Sequence, residues 1–354
     1  MNVMVKYLLI TILIIGRVYS QSIEDNLKSM ANANAKKYLG AFPTAFGMNM
    51  NSGTFHKAKP HKVLGFDITM SMSMAATSDA AQTFEFILPA EDILVPITIA
   101  GQQYELEINP DEVYDEFRTT STIFGPPFSN TISVDNDKAI NSIRTQLAGK
   151  GVAQNQIDLI SDSELAPLVD ENFPDLVTPE GLNLPFIPAL IPQISIGFPK
   201  DIELSFRGFP SSDIPEYGKV EFLGYGGKIG LNQFIPVPNI VLPDMALGYY
   251  AINLTMGDII KMNNSITMFQ ISKSIPFLTV YGGLGLESST ADLNYSYADA
   301  LSGTSTPINF SITGENNFRT VIGLRLKLAI LSINADYNIG AFNTLNMGIG
   351  LTLR

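Results

Sequence analysis

The chain contains two histidines, His56 and His61, and both lie in one lysine-rich stretch. A histidine that acts as a catalytic base needs a carboxylate to orient it and a nucleophile beside it, but no nucleophile motif adjoins either residue. A zinc site needs at least three histidine, cysteine or carboxylate ligands, and the chain has no cysteine and no third ligand at a suggestive spacing. We therefore expect a protein that is not an enzyme, holds no metal and needs no cofactor.

The same stretch suits an anionic ligand better than a reaction. Its basic side chains could hold a carboxylate through charge-assisted hydrogen bonds, while nearby phenylalanines cover an apolar tail. The candidate ligand-binding residues are Lys59, Lys62, His61, Phe42, Phe46 and Phe55. The alternative is structural, because these basic side chains could instead pair with carboxylates of the protein such as Asp67.

Acidic residues are concentrated in one region of the sequence. Residues 105–181 contain 15 Asp and Glu against 4 Lys and Arg, a net charge of −11 out of −12 for the whole chain. Prolines recur through the same region, so we predict that residues 105–190 form an acidic inserted loop domain. The chain shows no basic stripe that could neutralise phosphates, so nucleic acid is not expected as a partner.

The first twenty residues predict export. Lys6 supplies a positive start, residues 7–16 form an apolar stretch, and Val18-Tyr19-Ser20 resemble a cleavage site before Gln21. This pattern is typical of a signal peptide over residues 1–20, with a buried helix as the alternative. Without cysteine there is no site for lipoprotein acylation.

Beyond residue 65 the dominant sequence period is two. In residues 318–330, leucine and isoleucine alternate with arginine, lysine, glycine and other residues. Such alternation is typical of strands with one apolar and one polar face, and cations on the polar face suit a water-filled lumen opposite a lipid-facing band. The expected lumen-facing residues are Asp67, Arg319, Arg325 and Lys327.

Composition supports a membrane barrel over a soluble sheet. The chain is 45% hydrophobic and only 16% charged, although no segment after the signal has the ~20 consecutive apolar residues of a transmembrane helix. We therefore predict an all-β fold, a transmembrane antiparallel β-barrel of about 14 strands within residues 65–354. Residues 21–64 would form a short helix (23–39) and a plug inside the barrel. A soluble β-sandwich or β-propeller is the alternative.

Several motifs resemble a known family. Residues 38–67 read YLGAFPTAFGMNMNSGTFHKAKPHKVLGFD, which is similar to the opening pattern YLxPFxxxFGxxxNxGxxxxAKxHKxLGFD of an uncharacterised family of outer-membrane proteins. Residues 122–126, 182–210 and 220–239 extend the resemblance over most of the chain. More distantly, a plug followed by about 14 strands resembles the long-chain fatty acid transporter (FadL-like) channels, a likeness of fold alone.

These observations lead to two functional expectations. The first is a porin-like outer-membrane barrel of a two-membrane bacterium, a passive channel for small hydrophobic or amphipathic molecules. The second is a non-transporting surface or envelope protein that binds a partner through its acidic domain. In both cases the expected partners are outer-membrane lipids and the outer-membrane insertion machinery, with a hydrophobic small molecule added in the first.

Overall fold

The computed structural model describes residues 32–214, 218–236, 242–298 and 305–353. Its main feature is one antiparallel sheet of eleven strands. In chain order they are β1 (Phe66–Ala76), β2 (Phe186–Phe198), β3 (Ile202–Ile214), β4 (Gly218–Gly230), β5 (Asp244–Met256), β6 (Ile260–Ser274), β7 (Leu278–Ala298), β8 (Ser305–Thr313), β9 (Phe318–Leu328), β10 (Leu331–Ile339) and β11 (Thr344–Leu353).

The sheet closes into a barrel. Strand β1 pairs with β11 on one side and with β2 on the other, and the remaining neighbours pair in order until β6 meets β7. Ten strands form the closed wall, while β8 pairs only with the far half of the long strand β7. The predicted all-β antiparallel barrel is confirmed, but these described strands number ten plus one extra and not about 14.

The barrel wall is apolar outside and polar inside. In β9, Ile322 is 61% and Leu324 52% exposed, whereas Arg319 and Arg325 are buried. The same alternation runs along β1, where four polar side chains are buried between exposed or half-buried Ile and Met side chains. A contiguous apolar exterior of this extent is a membrane-type surface, because soluble monomers rarely expose large apolar patches.

An N-terminal stretch precedes the barrel and enters it. It contains helices α1 (Asn32–Tyr38) and α2 (Phe42–Met50), with Pro43 in the first turn of α2, where its missing N–H costs nothing. We call residues 42–62 the inner segment, because nearly all of them are buried. Of the predicted helix over 23–39, the part before residue 32 and the predicted signal peptide lie outside the described residues.

The connection from β1 to β2, residues 77–185, forms an inserted domain with its own apolar core. It contains a short 3-10 helix (Asp79–Ala81), the hairpin strands Ile93–Ile99 and Gln102–Ile108, and four α-helices. The helices are α3 (Pro110–Val113), α4 (Asn136–Gly149), α5 (Gln154–Ile157) and α6 (Asp162–Asn172). Two short strand pairs complete it, Thr83–Glu85 with Thr119–Ser121 and Thr131–Ile132 with Leu176–Val177. Within the described ranges, no helix has the length and apolarity needed to cross a membrane.

The inserted domain is larger than charge alone predicted. The strands expected near residues 83–108 belong to it, because a small hairpin over its own core shows the same period of two as the barrel wall. Residues 186–190 were expected in the loop domain because of their prolines, but they open β2. The first difference accounts for the excess in the predicted strand count, because three of the predicted strands belong to the inserted domain.

The exposed leucines of the wall allow a direct test of what surrounds the barrel. Replacing the exposed Leu324 by Arg should destabilise a lipid-embedded barrel by about 2–4 kcal/mol, the cost of a cation facing the bilayer interior. The same change on a water-facing sheet should stay within about 0.5 kcal/mol. Guanidinium unfolding in lipid vesicles measures the difference, with Asp292→Arg near the barrel rim as the matched control.

Candidate functional site

The inner segment follows the barrel interior from one end to the other. At the domain end, where β1 stops and β2 starts, α2 approaches the wall so closely that a Cβ on Gly47 would lie 2.6 Å from the Ser289 side chain. Asn49 donates to the carbonyl oxygen of Ile187. At the opposite end, the backbone N–H of Leu64 donates to Gly197 of β2 at 3.0 Å.

Three buried cations of the wall bind carbonyl oxygens of the inner segment. Arg319 donates to Met48 at 2.7 Å. Arg207 donates to the carbonyl oxygens of Met50 and Ser52 at 3.2 and 2.6 Å. Lys228 donates to the carbonyl oxygen of Lys57 at 2.7 Å. Outside its helix the segment has few backbone partners of its own, so these cations satisfy carbonyl groups that burial would otherwise leave unpaired.

Two of these cations also pair with buried wall carboxylates. Arg319 lies 2.9 Å from Glu287, and Lys228 lies 3.2 Å from Glu203. Arg207 has no carboxylate within ion-pair distance in the described part of the chain, and its partners are the two carbonyl oxygens. A buried charge is tolerated only when paired or hydrogen-bonded, so the wall charges and the inner segment depend on each other.

The two histidines belong to this polar network. His61 Nδ1 lies 2.7 Å from Glu203, whose carboxylate also accepts the His61 backbone N–H at 2.9 Å. His56 Nε2 lies 3.3 Å from Asp67, which forms an ion pair with Arg325 at 2.6 Å. On its other side, His61 Nε2 lies 3.3 Å from the hydroxyl oxygen of Thr352, so this histidine stands between a carboxylate and a hydroxyl, and all three side chains are buried.

Burial changes the protonation of the segment's basic groups. It lowers the pKa of His56 and of His61, and the carboxylates beside them only partly oppose this effect. It also lowers the pKa of Lys57 to about 7, with Glu203 acting in the opposite direction. The segment therefore carries less positive charge inside the barrel than its sequence suggests.

The structure does not bring the predicted ligand-binding residues into one site. Lys59 and Lys62 are exposed, and Lys59 is 3.9 Å from Asp244, while His61 is buried against Glu203. Phe42 and Phe46 pack in the apolar cluster around α2, whereas Phe55 contacts Tyr281 in a separate cluster. The irregular path of residues 51–62 separates side chains that are close in sequence.

The predicted lumen-facing residues take two kinds of position. Asp67, Arg319 and Arg325 are buried and point into the interior. Lys327 is exposed, because it lies near the end of β9 beyond the packed interior. Sequence reasoning missed Glu203, Arg207, Lys228 and Glu287, which share one signal: each is an isolated charge at an inward position of a strand whose outward positions are apolar.

The barrel wall is interrupted between β2 and β3. Their described pairing covers residues 193–198 with 202–207 and stops at Gln193–Arg207, although both strands continue for several residues. On their other sides the same stretches stay paired, residues 186–192 with β1 and the end of β3 with β4. The gap therefore lies at the domain end of the wall.

Prolines and a glycine explain the interruption. Gly197 exchanges backbone hydrogen bonds on the β1 side, so alternate residues of β2, including Pro188 and Pro192, turn their backbone toward β3. Proline has no N–H to donate there. Gly208 adopts φ +109° beside a register shift in the β3–β4 ladder. This bulge bends β3 away from β2.

An apolar cluster lies directly behind the gap. Ile187 and Ile191 of β2 and Phe222 of β4 are buried there, and the Phe222 ring lies 5.7 Å from that of Phe209 on β3. The Glu203–Lys228 pair and His61 lie toward the opposite end of the barrel, whereas Arg207 belongs to the last β2–β3 pair beside the gap. The interior behind the gap is thus mainly apolar, with Arg207 at its border.

Comparisons with known proteins place these features in context. The sequence matches the family of unknown function (DUF6588) over residues 1–353. No curated protein matches the chain in sequence. The predicted resemblance to an uncharacterised family therefore has support, while the likeness to FadL-like channels stays a prediction.

Several solved structures share a distant likeness. Ail, the attachment invasion locus protein of Yersinia pestis, solved in complex with the heparin analogue sucrose octasulfate, is 10% identical with a TM-score of 0.22, covering 82% of this chain and 99% of that chain. A loop L8 deletion mutant of OmpT, an outer membrane protein of Vibrio cholerae, is 10% identical with a TM-score of 0.24, covering 82% and 100%. Salmonella typhi OmpF in complex with daunomycin is 9% identical with a TM-score of 0.22, covering 82% and 97%.

Breaking one buried ion pair should loosen the inner segment. Arg319→Met leaves Glu287 buried without its cation, which should destabilise the barrel by about 3–5 kcal/mol. Hydrogen exchange at residues 48–52 should rise, because Arg319 also holds Met48 and Ser52. The double variant with Glu287→Met should recover part of the loss in guanidinium unfolding, whereas purely additive losses would show that the pair acts as two independent groups.

Acidification should weaken the same network. Below the ordinary histidine pKa of 6.5 the unfolded chain takes up protons on His56 and His61, while the folded protein, with lowered values, takes them up only at lower pH. The free energy of unfolding should therefore fall as pH falls through this window. The lowered pKa of Lys57 also reduces the free energy of unfolding as the pH falls from 10.5 to about 7.

Guanidinium unfolding in detergent across this pH range provides the measurement. The variant His56→Asn/His61→Asn should show a flatter change between about pH 7 and 5 than the parent, because its side chains do not titrate there. An unchanged slope would show that the pH dependence in this window does not come from the two histidines.

Proposed function

We propose that the chain, which belongs to the family of unknown function DUF6588, is an outer-membrane β-barrel that passes small hydrophobic or amphipathic molecules passively. The observation that carries this proposal is the interrupted pairing of β2 and β3 beside an apolar part of the interior. An opening of this kind gives an apolar molecule a route between the interior and the surrounding lipid.

The outer membrane is the location that the chemistry favours. Apart from the gap between β2 and β3, the closed wall leaves no unpaired sheet edge, as a lipid environment requires, and its exterior is apolar. The predicted signal peptide supports export. The inserted domain is by far the longest connection between barrel strands, so it would face outward, as long extracellular loops do in bacterial barrels.

The proposed route avoids the charged half of the interior. An apolar molecule that enters at the domain end meets the cluster around Ile191 and Phe222 and leaves through the gap. It never contacts Glu203, Lys228 or the two histidines, which lie toward the opposite end. No cofactor is needed, because a concentration gradient drives such passage.

A second candidate function rests on the filled interior. The inner segment follows the barrel from end to end and is bound by wall cations at three levels, so in this candidate it would act as a plug. A barrel sealed in this way suits a non-transporting surface protein whose acidic inserted domain binds a partner. Transport measurements separate the two candidates.

Closing the gap tests the channel directly. The chain has no cysteine, so Ala189→Cys and Ser211→Cys place a single thiol pair across the gap, where the two residues would face each other if the ladder continued past Gln193–Arg207. Bridging them with a bifunctional maleimide should strongly reduce uptake of a fluorescent fatty acid into proteoliposomes. The uncrosslinked variant should transport like the parent.

The matched control crosslinks the paired part of the same two strands. Ser195 and Ser205 have hydroxyl oxygens 2.8 Å apart, so Ser195→Cys/Ser205→Cys joins β2 to β3 without closing the gap and should leave uptake unchanged. If the bridged gap variant took up the fatty acid as fast as the parent, the lateral route would be ruled out. Absence of uptake in the parent itself would favour the second candidate.

A further inference from the structure

The inserted domain carries an open groove of about 450 Å³. It lies between the end of the hairpin strand Ile93–Ile99 and the region around α5 and α6. The apolar lining residues are Ile97, Ile99, Leu159, Ile160, Leu165 and Leu168. Leu165 is fully buried and forms the floor, whereas Leu159 is 82% exposed at the rim.

Carboxylates surround the exposed leucine. Asp158 and Asp162 lie on either side of it in sequence, and Glu164 lines the groove. Glu164 caps α6 by accepting the backbone N–H of Ser161 at 2.8 Å, which holds the carboxylate in place and lowers its pKa. Arg144 offsets one of these charges, through Asp162 at 2.6 Å, so the rim remains acidic.

The hairpin edge beside the groove is not built to accept another strand. The two-residue turn at Ala100 and Gly101, both with positive φ, closes on the pair Ile99–Gln102, so alternate residues counted back from Ile99 turn toward the partner strand. Pro96 therefore turns outward and presents no N–H to an incoming strand. A ligand of this groove must bind through its side chains.

We propose that the groove binds a basic segment of a partner protein that inserts an apolar side chain beside Leu159. Charge complementarity selects this occupant, because the groove is apolar, its rim is acidic, and residues 105–181 carry a net charge of −11. An acidic or neutral segment gains no attraction from this surface. The inference names the partner class for the second candidate function and rests on it, but it does not depend on transport.

The probe is a fluorescein-labelled amphipathic peptide of leucine and lysine, titrated against the full chain in detergent and followed by fluorescence anisotropy. The parent should bind it, and added salt should weaken the binding. Leu159→Glu should weaken binding about tenfold or more, since it removes the apolar contact of one side chain. Leu159 is mostly exposed, so the variant should fold, which circular dichroism checks.

The control is Val177→Glu, which adds the same charge at another exposed apolar position of the inserted domain, 64% exposed and outside the groove. It should bind the peptide nearly as well as the parent. If both variants lost peptide affinity equally, the groove would be overturned as the binding site. The peptide would then be held only by general attraction to the acidic inserted domain. Absence of binding by the parent would overturn both the groove and the partner-binding function. Fatty acid uptake by Leu159→Glu should match the parent, so the channel is judged separately.

Discussion

The fold depends on the contact between buried wall cations and carbonyl oxygens of the inner segment. Arg207, Lys228 and Arg319 lie where solvent does not reach, and a cation in such a place must have partners. The segment has the opposite need, because its irregular backbone leaves carbonyl groups without helix or sheet partners. Each requirement is met by the other. An empty barrel of this sequence would leave Arg207 without its carbonyl partners, and a free segment would not keep its path.

The division of the interior into an apolar and a charged part also explains where the wall can open. Unpaired backbone groups are costly in contact with lipid, so an interruption is tolerated where fewer such groups exist. Pro188 and Pro192 remove two donors from the edge of β2, and the bulge at Gly208 ends the ladder of β3 on that side. At the charged end, Glu203 and Lys228 require a fixed wall, and there the pairing is complete.

The barrel was predictable from sequence because apolar and polar residues alternate over long strands. This alternation places Arg319 and Arg325 on the inner face regardless of how many strands the barrel has. The strand count was not predictable, since the hairpin over Ile93–Ile99 alternates in the same way over a different core. Pro188 and Pro192 suggested a loop, but they lie in a strand whose partner is missing on that side. The proposed ligand-binding residues stay a prediction, and their positions could not be read from the sequence for another reason: the inner segment is irregular and follows no fixed period, so Lys59 is exposed whereas His61 is buried. Partners such as Glu203 for His61 are distant in sequence, and periodicity carries no information on them.

The seam between β1 and β11 determines how the molecule must be assembled. It joins the first strand of the barrel to the last, with the inner segment immediately before β1 in the chain. At the domain end, α1 is tied to the inserted domain, where Tyr38 accepts the N–H of Ile123 through its carbonyl oxygen. A chain anchored beyond both mouths of the barrel cannot be threaded through a finished cylinder. The inner segment must take its place while the sheet is still open. The strands then close around it, and the pairing of β1 with β11 forms last.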